Sequence, residues 1–166
     1  MRHPYILLAG LIGFNLPTSA LAADTHCSGQ EANVFSCTTG KKIISVCASK
    51  DLSRSSGDLQ YRFGPKGAPE IQVPEAREHP EPSVKSGTLA FSGGGGAWLR
   101  FIKGEYGYVV YTATGKDWGA KEGVAVEKGD KLVANIKCNK PAQSGLGKKL
   151  FEKAGLSADA KEFKLP

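Results

Sequence analysis

Few side chains in this sequence have the chemistry of nucleophiles, metal ligands or cross-links. Cys27, Cys37, Cys47 and Cys138 are separated by nine, nine and ninety intervening residues. Structural zinc sites pair their cysteines two to four residues apart, so this spacing excludes a zinc ribbon and no metal is expected. An even cysteine count then leaves either four thiols or two disulfides, with three pairings open. His26 adjoins Cys27 and His79 sits among prolines; neither has a catalytic neighbour in sequence. Ser92 is preceded two residues earlier by Ala90 rather than glycine, and strand-forming residues follow it, so it is no nucleophile elbow. Gly93-Gly94-Gly95-Gly96 lead into Ala97-Trp98-Leu99-Arg100-Phe101, whereas a phosphate loop needs glycines running into a helix with a lysine at fixed spacing. Most carboxylates fall in polar turns. The expectation is a protein that is not an enzyme and holds no cofactor.

The compartment decides between thiols and disulfides. Arg2 and a short apolar run from Ile6 to Phe14 precede Pro17 and an Ala20-Leu21-Ala22 site. That is the pattern of a secretory signal peptide over 1–22, cut after Ala22 or one residue later. The run is too short to span a bilayer, which takes about 20 residues, so no transmembrane segment is expected in the mature form. Residues 23–166 then make one domain, periplasmic or secreted, and export favours two disulfides. Losing Arg2 takes the net charge from +6 to +5. The lysines are scattered, which suits solubility or contact with an anionic envelope glycan better than nucleic acid.

The elements that must position these residues are short strands. Asp58 to Phe63 alternates polar and apolar residues, and Tyr106 to Thr112 is rich in β-formers. Glycine-containing turns separate such segments, and three prolines mark Pro74 to Ser83 as an exposed loop. The pattern predicts an all-β fold. Eight or nine strands form an antiparallel meander closed into a barrel or a tightly curled sandwich. One short helix follows over Gly147 to Gly155, burying Leu150, Phe151 and Ala154. The four-glycine run reads either as a hairpin or bulge between strands, or as a side-chain-poor loop that lets Ser92 enter a narrow cleft. Trp98 and Trp118 are expected to be exposed aromatics, which motivates a glycan-binding surface as the rival function.

Several short motifs add a resemblance. Phe35-Ser36-Cys37 precedes Gly40, Ser92-Gly93 is followed by the aromatic Trp98, Lys103-Gly104-Glu105 forms a lysine-glycine-acid turn, and Cys138 closes the last long strand. Over Asn33 to Cys138 the chain resembles the small envelope lysozyme inhibitors of Gram-negative bacteria, the C-type (membrane-bound or periplasmic) and I-type families. The resemblance implies an antiparallel β domain that plugs the cleft of a lysozyme, its protein partner. Ser92 and Lys103 would be the contact residues, with the Gly93, Gly94, Gly95 and Gly96 loop and Trp98 shaping the plug. It also implies the pairing Cys37–Cys138, which leaves Cys27–Cys47.

Overall fold

The computed structural model describes residues 24–166; the leader assigned to residues 1–22 lies outside them. The chain forms β1 (Glu31–Thr39), β2 (Lys42–Ser49), β3 (Leu59–Pro65), β4 (Ile71–Val73), β5 (Val84–Phe91), β6 (Gly94–Lys103), β7 (Tyr106–Gly115), β8 (Gly119–Lys128), β9 (Lys131–Lys137), β10 (Gln143–Ser144) and α1 (Lys148–Ala154). The fold is all-β and antiparallel with one short helix. It is not a closed barrel. Two five-stranded sheets form, in the orders β10-β1-β2-β3-β4 and β5-β6-β7-β8-β9. The strand count is ten, because Gln143 and Ser144 add to the free edge of β1.

The break between the sheets has a chemical cause. The segment between β4 and β5 contains Pro74, Pro80 and Pro82, and proline has no N–H to donate to a ladder. The meander stops at Val73 and a second one starts at Val84, packing its face on the first. The shared core alternates along each strand: Ile44 and Val46 of β2 and Leu59, Tyr61 and Phe63 of β3 belong to one cluster with Leu99 and Phe101 of β6, Val110 of β7 and Val124 of β8. Phe151 and Ala154 of α1 join it, and Gly155 ends the helix in the left-handed region at φ 65°.

Each sheet also has its outer face crossed by a segment that lies outside the strands. On the first sheet the segment Asp24–Cys27 lies across β2 and β3. The His26 N–H donates to Ser45 Oγ at 2.9 Å, and Arg62 Nη1 donates to the His26 carbonyl at 2.8 Å. On the second sheet the C-terminal segment crosses the outer face. Phe163 is buried there against Trp98 and Tyr111, with ring centroids 5.6 Å from each. Two disulfides complete the frame, Cys27–Cys47 and Cys37–Cys138, the pairing the resemblance implies. The first ties the N-terminal segment to β2, and the second ties β1 to the end of β9. Among the described residues no helix is long and apolar enough to cross a membrane.

The loop from Pro74 to Ser83 is pinned rather than free. Arg77 pairs with both Glu31 and Asp58, and Gln60 Nε2 donates to the Pro74 carbonyl at 2.7 Å. Glu31 is the centre of this group, with a side chain only 2% exposed. Burial alone would raise its pKa. The Arg62 guanidinium, donating at 2.9 and 2.6 Å, and the Ser28 N–H at 2.7 Å outweigh it and hold the carboxyl at about 2. The folded-state value lies below the unfolded one, so the stabilisation is full above the ordinary value of 4.5 and is lost as pH falls toward 2. A depression of this size corresponds to about 3 kcal/mol at neutral pH. Glu31→Gln should cost about 3 kcal/mol in urea unfolding at pH 7, and the difference from wild type should shrink steadily as pH is lowered through 4 to 2.5. A pH-independent difference would contradict this assignment.

Candidate functional site

The glycine run lies in the β5–β6 hairpin, as the first of its two readings has it, but the turn is tight and not wide. Phe91 pairs with Gly94, so the chain reverses over Ser92 and Gly93 alone, with Gly93 at φ 73°. Gly94, Gly95 and Gly96 are already strand. They pair with Phe91, Ala90 and Leu89 on one side and with Gly115, Thr114 and Ala113 on the other. The glycines are required by close packing: a Cβ on Gly94 would run into the Thr114 carbonyl oxygen and the Phe91 ring, and one on Gly96 into the Thr112 carbonyl oxygen. The side-chain-poor loop expected over 93–96 is therefore a two-residue apex on a rigid strand pair.

Trp98 also departs from expectation. It is 4% exposed, so it shapes no surface. Its indole fills the space that a Cβ on Gly87 would need, the C-terminal Phe163 covers it, and the Arg100 guanidinium lies 5.2 Å from its ring centre. Arg100 is itself buried, donating from Nε to Asp159 at 2.7 Å and from Nη1 to Glu127 at 2.6 Å. Trp98 thus belongs to a second core on the outer face of this sheet.

Ser92 and Lys103 do not converge. They sit at opposite ends of β6, roughly 35 Å apart along the strand at about 3.3 Å per residue. Lys103 lies at the far end, where its ammonium is held 2.5 Å from Glu75 beside Gln72 and Tyr108.

Other residues gather around Ser92. The β7–β8 turn, Lys116-Asp117-Trp118, lies beside it, and the Lys116 N–H donates to the Gly93 carbonyl at 3.0 Å. Gly94 and Gly115 are partners across β6 and β7. The Phe91 ring leans over Gly94 and the Trp118 indole over Gly115, so that the two rings meet with centroids 5.5 Å apart above a two-glycine floor. Phe91 is 36% and Trp118 40% exposed, in line with the exposure expected of Trp118. Lys121 Nζ stands 5.3 Å from the Trp118 ring. The result is a narrow apex at Ser92–Gly93, an aromatic shelf behind it, and the cations Lys116 and Lys121 at its margin.

No family model, curated protein or solved structure matches this chain. The likeness to lysozyme inhibitors therefore stands on short motifs, and two of them, Ser92-Gly93 and Lys103-Gly104-Glu105, occupy opposite ends of one strand.

Neither hairpin at the apex contains a histidine; His26 meets the Gly64 carbonyl at 3.2 Å and His79 the Ser53 carbonyl at 3.3 Å, both away from it. Among the described residues no group of three or more His, Cys, Asp or Glu side chains could hold a metal ion. Phe91, Lys116 and Lys121 are the members that sequence reasoning passed over. The signal for Phe91 was available: a strand former, then Ser-Gly, then glycine is the pattern of a two-residue hairpin turn. Lys116 and Lys121 carry no comparable signal, since their place depends on the β6–β7 register.

Proposed function

We propose that this protein is an exported inhibitor of a lysozyme that inserts the Ser92–Gly93 apex into the glycan-cleaving cleft. The observation that carries this reading is the apex itself, two residues wide, backed by bare glycine strand and flanked by Phe91 and Trp118. Glycan-cleaving enzymes work with two carboxyl groups on either side of the scissile bond. A serine hydroxyl on a narrow apex can donate to one of them. Lys116 beside Gly93 supplies the ammonium for the other, a role the resemblance gave to Lys103. The aromatic shelf would lie on the apolar cleft wall that otherwise receives a sugar face. The two disulfides and the tight hairpins keep the apex preorganised, which limits the entropy lost on binding.

The experiment is an inhibition titration against C-, G- and I-type lysozymes. Wild type should inhibit one class. Ser92→Ala and Trp118→Ala should each raise the inhibition constant about ten- to a hundredfold, in the range for a hydrogen bond to a charged group and for a buried aromatic anchor. Lys103→Ala should leave it unchanged within about twofold, as for a rim residue that already has a partner. Selective weakening by Lys103→Ala, or no inhibition of any class, would overturn the reading.

The Phe91–Trp118 pair with its two lysines also favours a second reading, direct binding of an anionic envelope glycan. Retention on peptidoglycan that falls with added salt and is lost in Trp118→Ala would support it.

A further inference from the structure

We infer that the open edge of β9 accepts an extended acidic segment of another protein as an added sixth strand of the second sheet. The inference is independent of the Ser92–Gly93 apex and begins with the edges. A sheet edge offers a row of unpaired N–H and C=O groups, and folds normally blunt it. The first sheet ends in β4, of three residues, and β10, of two. In the second sheet β5 is engaged by the C-terminal segment: the Ser86 N–H donates to Ser157 at 3.1 Å, and the Asp159 N–H donates to Ser86 at 3.0 Å. β9 has seven residues and, among the described residues, pairs only with β8.

The side chains on β9 are those of a contact surface. Leu132 is 54% and Val133 53% exposed, the most exposed large apolar residues among those described. A bulge produces this: Val126 pairs with Ala134 but Glu127 with Leu132, leaving Val133 as the extra residue on the strand. An edge designed only to repel would carry charge at these two positions. Instead the charges stand at the strand ends, Lys131 and Lys137, with Lys128 beyond the turn.

That arrangement selects the partner. A second copy added antiparallel about Ala134 would set each Lys131 opposite a Lys137, and like charges directly opposed destabilise a ladder. A strand with acidic residues flanking apolar ones would pair with both lysines and cover Leu132 and Val133. Main-chain hydrogen bonds would supply affinity, and the alternating side chains specificity.

The test uses the full oxidised chain and two short synthetic peptides, one alternating valine with glutamate and one alternating valine with lysine. The glutamate peptide should bind saturably and slow amide exchange along Lys131–Lys137. The Leu132→Glu/Val133→Glu double variant should weaken it at least about tenfold, and Lys131→Glu/Lys137→Glu should switch the preference to the lysine peptide. Trp118→Ala should leave the binding unchanged, which separates this result from that of the apex. The inference is overturned if neither peptide alters the β9 amides at about 1 mM. It is equally overturned if sedimentation shows the chain pairing with itself through β9 and the glutamate peptide does not compete.

Discussion

Replacing Cys37 and Cys138 by alanine should destabilise the fold by about 4–5 kcal/mol, against about 3 kcal/mol for replacing Cys27 and Cys47. The two bridges span sequence separations of 101 and 20. A cross-link acts mainly by removing conformations from the unfolded chain, and the removed entropy grows with the logarithm of the loop. Position in the fold acts in the same direction. Cys37–Cys138 joins β1 of one sheet to the end of β9 of the other, beside a hydrogen bond from the Asn139 N–H to the Thr38 carbonyl at 2.9 Å. Loss of this bridge frees the corner where the sheets meet, whereas loss of Cys27–Cys47 frees one terminal segment. Urea unfolding of the two double variants measures the order directly. A larger loss for Cys27–Cys47 would mean that the N-terminal segment, and not the corner, holds the sandwich together.

The second large effect is expected at Phe163. This residue fills the outer face of the second sheet, against Trp98, Val109, Tyr111 and Ala125. Truncating a buried phenylalanine costs about 3–5 kcal/mol through lost transfer energy and the cavity left behind. Phe163→Ala should therefore lower stability by about that amount, and the loosened cover should move the emission of Trp98 toward the red. Phe163→Leu should lose much less, because most of the volume is kept. Truncation of the chain after Leu156 should be worse still. It removes Asp159 as well and leaves Arg100, a buried guanidinium, with Glu127 as its remaining carboxylate partner. A Phe163→Ala variant with unchanged stability would show that the C-terminal segment is not part of the folded core.

Phe163 also marks where the fold stopped being legible in the amino-acid sequence. Local signals were sufficient for most strands: the alternation from Asp58 to Phe63 fixes the inward face of β3, and Gly155 marks the helix stop. The residues from Ala97 to Phe101 are buried at successive positions, so both faces of β6 are covered. Alternation on a half-exposed strand would have put Trp98 in solvent. The cover comes from a segment some sixty residues away that has no regular structure, and nothing local announces it. β10 was hidden for a related reason, since Gln143 and Ser144 are polar and become strand only by adding to β1. Barrel and sandwich were equally compatible with a run of hairpins. The choice fell to the prolines between β4 and β5, which interrupt the ladder.

The candidate site was legible in part. The glycine run after Ser92 stood out as a hairpin, bulge or loop, and Trp118 as an exposed aromatic, from residue type alone. The short motifs around Ser92 and Lys103 carried no information on distance. Only the count of paired residues in β6 separates the two side chains and brings Phe91, Lys116 and Lys121 to Ser92 in place of Lys103. The glycines mislead for the same reason. Four in succession read as freedom, yet three of them are fixed between neighbours too close to admit a Cβ.

In the proposed inhibitor the Ser92–Gly93 apex is the surface that meets the partner. Amide chemical-shift mapping of the labelled oxidised chain, titrated in turn with C-, G- and I-type lysozymes, tests this most directly. The largest shifts should fall on Phe91–Gly96 and Thr114–Lys121, while Lys103, Glu75 and Tyr108 stay in place. Shifts centred on Lys103, or none at saturating lysozyme, would contradict it.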